Sequence, residues 1–165
     1  MKRIDPMAQP SVVHLVPTND RDDAIARDLN TFLANTYVLT AKTQAFHWNA
    51  TGPNFIGLHK LTESQYGELF EATDQIAERV RALRVKAPAG LAGMLLLATL
   101  EEADSEVSTD KATRILVDDN ITLSRYARQL AKDADDAGDY ATHDMMVRRI
   151  EIHDKAAWLY RSNLE

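Results

Sequence analysis

Apolar positions recur along this chain with the three-to-four spacing of amphipathic helices, and no stretch alternates as a strand would, so the pattern predicts an all-α protein. Ile25, Leu29, Phe32 or Leu33, Thr36, Thr40 and Thr43 form the stripe of a first helix, capped at Asn19 or Asp20 and ending near Trp48. Asp22 and Asp23 in its first turn complement the helix dipole. A second helix, about 54 to 86, carries Leu58, Leu61, Gln65, Leu69, Ala72, Ile76, Val80 and Leu83 on one stripe. His59, Tyr66, Phe70, Asp74 and Glu78 lie on another, and aromatic residues on a second face need a second surface to cover them. Pro88 and Gly90 are the expected stop. Leu91 to Thr99 is apolar almost throughout and predicts a short helix in a long crossover. Ser108 or Thr109 caps the third long helix, where Ala112, Leu116, Leu123, Ala127, Leu130 and Ala134 keep heptad spacing. Asp135, Asp136, Gly138 and Asp139 mark a turn, and a last helix runs to about Ser162 with Met146, Ile150, His153, Ala157 and Tyr160 on one stripe. The prediction is a four-helix bundle over 20–165 with a short helix between helices two and three. Residues 1–19, with three prolines and no helical period, read as a tail.

A chain of 165 residues is long enough for one domain that buries roughly 70% of its unfolded surface. The net charge of −6 disfavours general affinity for nucleic acid or anionic membrane. The first 23 residues sum to a side-chain charge of −1, from Lys2, Arg3 and Arg21 against Asp5, Asp20, Asp22 and Asp23, which makes a poor phosphate-binding arm. With no cysteine there is no disulfide or thiolate chemistry, which fits a reducing compartment. No amino-terminal apolar region resembles a signal peptide, and the longest apolar run, Met94 to Leu100, is too short to span a bilayer. A cytoplasmic protein without membrane contact is expected.

Candidate chemistry concentrates between His47 and Glu78. Asn49 to Pro53 reads as a turn, and His47 and His59 lie at equal distances on either side of Pro53. If the flanking helices are antiparallel, both imidazoles sit at one height. Asp74 and Glu78 are i,i+4 neighbours on the helix of His59, offset from it by only about 60° around the axis but by a rise of about 22 Å. Metal–ligand bonds are about 2 Å long, so one subunit cannot bring these groups to one ion. Two copies packed antiparallel about a two-fold axis near residues 66 to 69 would set His59 of one beside Asp74 and Glu78 of the other, with Gly67 at the close approach. Spacing alone therefore suggests a site shared across a symmetric dimer. Mixed imidazole and carboxylate ligands suit Fe(II) better than magnesium or calcium, and a metal would offset the cost of burying those carboxylates. A structural bundle with zinc at the dimer contact stays open, as does zinc as a competitor of iron. The Glu-x-x-His pair of other di-iron bundles is absent, since Gln44 and Ile56 stand three residues before the histidines. His14, His143 and His153 read as structural, and Trp48 as core packing.

The run His47-Trp48-Asn49, Gly52-Pro53-Asn54-Phe55, His59, and Asp74 with Ala77-Glu78-Arg79 resembles the Dps family, the ferritin-like "DNA-binding protein from starved cells" group. A weaker echo is Asp154-Lys155 to Trp158 and Ser162-Asn163-Leu164-Glu165, and the likeness covers about 22–165. The resemblance implies a ferritin-like bundle and iron ligands at His47, His59, Asp74 and Glu78, the carboxylates coming from the two-fold mate. It also implies a shell of twelve subunits storing Fe(III) mineral and protecting DNA from oxidative damage. Peroxide, more readily than oxygen, would take one electron from each of two ferrous ions, largely avoiding hydroxyl radical. Trp48 beside His47 could give an electron to a stray oxidant. Asp133, Asp135, Asp136, Asp139 and Asp144 are by default a solvated helix end; the resemblance implies that acidic residues there line threefold pores, with Asp133, Asp136, Asp139 and Asp144 as candidates.

Two departures stand out: Lys60 replaces a common acidic residue, leaving nucleation to fewer carboxylates such as Glu63, and Leu83 to Pro88 lacks a glycine pair common in that loop. A DNA-compacting protein with a secondary iron site, and nucleoid association, stay open. Twelve copies at −6 each would carry about −72, so no DNA retention is expected at physiological salt.

Overall fold

Long apolar stripes need long partners, and the chain supplies them by folding back on itself. In the computed structural model, which describes residues 20–104 and 106–164, α1 (Asp20–Asn49) packs on α2 (Phe55–Ala82), and α4 (Thr109–Asp136) packs on α5 (Tyr140–Arg161). The short α3 (Gly90–Leu97) lies in the crossover and rests on α1. α1 also meets α4, and α2 meets α5, which closes a four-helix bundle. Ion pairs fix the directions: Lys42 of α1 reaches Asp119 of α4, and Arg149 of α5 reaches Glu68 of α2. The tail and the cap expected at Asn19 or Asp20 lie outside the described residues and side chains.

The stripes read from the sequence meet in one core. Leu29, Phe32, Leu33, Leu39, Leu69, Ile76, Leu116, Leu123, Leu130, Met146 and Tyr160 are fully buried, each worth about 1.5–3 kcal/mol of apolar burial. Threonines interrupt the stripe of α1 without exposing a donor, because the hydroxyls of Thr36, Thr40 and Thr43 bond to the carbonyls of Phe32, Thr36 and Leu39 at 2.7–2.8 Å. A polar seam crosses the core. Gln65 donates to Asn120 Oδ1 at 2.8 Å, His153 Nδ1 donates to that oxygen at 2.9 Å, and Arg149 lies 3.3 Å from His153 Nε2 while it clasps Glu68 with two N–H groups.

Helix ends explain the boundaries. Ser108 caps α4, accepting from Lys111 N at 3.3 Å, as the sequence suggests. α4 ends in a Schellman motif with Gly138 at φ 75°, where Asp139 N bonds Ala134 O and Gly138 N bonds Asp135 O. α2 ends four residues sooner than expected, at Ala82 instead of about 86. Arg84, at φ 66°, takes the left-handed position usually given to glycine; Val85 N then bonds Val80 O and Arg84 N bonds Arg81 O. The expected stop at Pro88 and Gly90 lies beyond this turn. α3 buries no residue and lies on the outside of α1, held there by Asn35, whose Oδ1 accepts from Thr99 N at 2.7 Å and Leu100 N at 2.9 Å.

Candidate metal site at the rim of α1 and α2

The last turn of α1 and the first turns of α2 face each other across a tight connection. Gly52 adopts φ 99°, which only glycine takes without strain, and Phe55 N bonds its carbonyl at 3.1 Å. This turn sets His47 against His59. Their rings stack with centroids 3.8 Å apart and planes 16° from parallel. Each also bonds the other's backbone: His47 Nδ1 lies 3.0 Å from His59 O, and His59 Nδ1 lies 3.2 Å from His47 O. A carbonyl can only accept, so both Nδ1 atoms carry hydrogen and both Nε2 atoms keep a free lone pair in the neutral rings. Fixing the tautomer through the opposite nitrogen is how proteins prepare a metal-binding imidazole.

Thr62 supports the same arrangement. Its hydroxyl is within 3.0 Å of Leu58 O and His59 O and 3.2 Å from His47 Nδ1. Glu63, one turn beyond His59, is exposed and pairs with Lys60 at 2.8 Å. The hydrogen bond and charge of Lys60 hold its carboxyl below the usual range. Its i,i+4 spacing from His59 was the available sequence signal.

Asp74 and Glu78 are solvent-exposed on α2, well along the helix from the histidine pair. Among the described residues no group of three or more potential metal ligands gathers in one chain. The chain thus brings the two histidines together and leaves the two carboxylates apart from them. Between these half-sites the surface is open and apolar. Tyr37, Tyr66, Gly67, Phe70 and Thr73 line a cavity of about 330 Å³, and a neighbouring cavity of about 560 Å³ reaches Asp74 and Met94. Phe70 is 68% exposed, and a Cβ added at Gly67 would meet nothing within 4 Å.

Other candidate residues find varied surroundings. Trp48 is 67% exposed and does not pack in the core, because its position in the last turn of α1 faces away from α2 and α4. His143 Nδ1 bonds Ala131 O at 3.0 Å, and His153 is fully buried, as structural histidines would be; His14 lies outside the described residues. Asp133 takes two bonds from Gln129, Asp136 pairs with Lys132 at 2.6 Å, and Asp144 pairs with Arg148. Asp139 caps α5, accepting from Thr142 N at 3.0 Å and from Arg79 at 2.6 Å. Burial opposes its ionised form, yet bonds from Arg79 and Thr142 outweigh that and hold the carboxyl below the usual range.

A four-helix bundle with a short helix in its long crossover is a ferritin-like architecture, and the ferritin-like domain family model matches residues 26–165. The chain is 35% identical to a DNA protection during starvation protein of Brevibacillus brevis over 83% of its own length and 92% of that protein. It is 37% identical to an uncharacterised low temperature-induced protein of Nostoc sp., covering 90% and 84%. Among solved structures, a Dps protein from Bacillus brevis superposes with a TM-score of 0.85 at 34% identity, covering 88% of this chain and 97% of that one. A Dps protein from Vibrio cholerae O1, described as a member of a broad superfamily of ferritin-like diiron-carboxylate proteins, gives 0.83 at 28% identity over 88% and 91%. The chain belongs to the Dps family.

Proposed function

We propose that this protein is a ferroxidase and iron-storage protein that takes Fe(II) as substrate at di-iron sites shared across a two-fold dimer. The observation that supports this reading is the reciprocal bonding of His47 and His59, which leaves both Nε2 lone pairs without a hydrogen-bond partner among the described residues. Iron bound there would be completed by Asp74 and Glu78 of a second copy, and the open face around Gly67 and Phe70 leaves room for that copy. Family membership supports iron storage and DNA protection in general. In this reading hydrogen peroxide is the preferred oxidant: two ferrous ions each lose an electron, the O–O bond breaks, and two protons complete two waters. The Fe(III) product is stored inside a dodecameric shell, which protects DNA by removing the reagents of radical chemistry.

The test is an anaerobic Fe(II) titration followed by peroxide or oxygen, with stoichiometry and rate recorded. Saturable binding with fast oxidation is expected; saturation without oxidation would favour a structural zinc site. Mixing His47→Ala with Asp74→Ala subunits should restore activity that neither variant has, because one site of each mixed dimer is intact. If nothing returns while both variants stay assembled, the site is not shared in this way. DNA retention at physiological salt that vanishes on deleting residues 1–19 would instead promote the DNA-compacting reading.

A further inference from the structure

Helix α2 presents Phe55, His59, Thr62 and Tyr66 as one stripe, and the His47 ring of α1 contacts both His59 and Tyr66 of that stripe. The His59 ring stacks on His47 at 3.8 Å, while the Tyr66 ring meets His47 in a T-shaped contact with centroids 5.2 Å apart and planes at 77°. The hydroxyl of Thr62, itself fully buried, is the floor, 3.2 Å from His47 Nδ1. Phe55 backs His59 from outside, tilted by 35° with centroids 4.9 Å apart. Four rings therefore stand in the order Tyr66, His47, His59, Phe55. His47 retains only 7% exposure within this row.

One hydrogen bond fixes which nitrogen is protonated but leaves a ring free to rock or flip about its χ2 torsion, which is broad for imidazoles. A flip would turn the lone pair of Nε2 away from its partner histidine. Preventing it takes more than the one stacked ring that His59 supplies. We propose that Tyr66 is a positioning residue for His47: its T-shaped ring contact restrains the imidazole and holds Nε2 in the direction needed to bind a divalent cation. This inference rests on the reading of His47 and His59 as metal ligands. Edge-to-face contact of the observed kind also favours one orientation of the imidazole over others, so Tyr66 acts through its ring and not through its hydroxyl.

The probe is Co(II) added to the assembled apo protein, whose visible absorption reports both affinity and coordination. Tyr66→Leu removes the ring and Tyr66→Phe keeps it. Loss of groups that orient a metal ligand commonly costs about 10–100-fold in affinity, and that loss is expected for Tyr66→Leu, with a changed band shape and an unchanged assembly state. Tyr66→Phe should bind within about twofold of the parent, because only the ring is used. A Tyr66→Leu protein that titrates as the parent does, or a Tyr66→Phe protein as weak as Tyr66→Leu, would overturn the proposal. Solid-state 15N spectra of ring-labelled histidine give the second readout, assigned by difference from His47→Ala. Tyr66→Leu should split the His47 signal into more than one environment. If the parent itself shows no Co(II) band, the ligand reading fails separately, and the 15N spectra alone decide whether Tyr66 orients His47. Should Tyr66→Leu not assemble, Tyr66→Met takes its place under the same criteria.

Discussion

His47 and His153 are both nearly removed from solvent, at 7% and 0% exposure, and both sit where helices meet, yet their surroundings give them opposite chemistry. His153 has a partner at each nitrogen: Nδ1 donates to Asn120 Oδ1 at 2.9 Å, and Nε2 accepts from Arg149 at 3.3 Å. Asn120 cannot be turned the other way, because its amide already donates to Leu116 O at 2.7 Å, so the neutral tautomer of His153 is dictated. Burial, with the Arg149 charge beside it, holds that imidazole well below the usual histidine value. Among the described residues, His47 bonds through Nδ1 alone. Burial is thus shared by the two histidines, and what separates them is the nitrogen of His47 that is left without a hydrogen bond among the described residues.

The widest separation should appear in a pair of alanine variants. His47→Ala should slow Fe(II) oxidation by about a hundredfold or more in stopped flow of the folded fraction, the scale of removing a ligand from the reacting centre, whatever it costs in stability. His153→Ala should cost about 2–4 kcal/mol in a urea titration by opening a cavity and leaving Asn120 and Arg149 short of partners, with normal oxidation in the folded fraction. Oxidation that survives His47→Ala, or collapses equally in both, would erase the distinction.

Acid should then sharpen it. The folded-state value of His153 lies below the unfolded one, so the unfolded chain binds the proton more readily, and stability falls as pH drops below about 6.5, by at most about 1.4 kcal/mol per pH unit. Above that range the contribution is constant. Urea midpoints measured from pH 7 down to 5 should show this slope in the parent and a flatter one in His153→Leu. The smallest effect is expected at the surface beside His47 and His59: Lys60→Glu exchanges the partner of Glu63 for a like charge. Initial Fe(II) uptake at low salt should rise about two- to threefold and lose that gain in high salt, by electrostatic attraction of the cation.

Much of the bundle was legible because α4 and α5 repeat their apolar residues with regular spacing, and residues such as Leu116, Leu123, Leu130 and Met146 are indeed buried. The end of α2 was not. A helical period continues past Ala82, and the residue that actually breaks it is Arg84, whose side-chain type gives no warning of φ 66°. The approach of His47 to His59 could be read from their symmetry about Pro53, since a tight turn forces antiparallel neighbours to equal height. The reason their Nε2 atoms are left free could not, because the acceptors are backbone carbonyls that no residue type announces. The Tyr66 contact was visible only as an aromatic on a second stripe. Trp48 misled because an aromatic next to a buried histidine suggests burial, whereas neighbours on a helix point about 100° apart.

The carbonyl acceptors at His47 and His59 also bear on how this region can change over generations. A ligand oriented by another side chain depends on two positions varying together, and most single changes at the second position would damage it. Here each imidazole takes its orientation in part from the main chain of the other, which every amino acid supplies. Substitution in the connection between the helices therefore leaves the acceptors in place as long as the turn at Gly52 keeps its shape. Genetic drift can rewrite much of the loop's lettering while the grammar that aims the two rings is preserved.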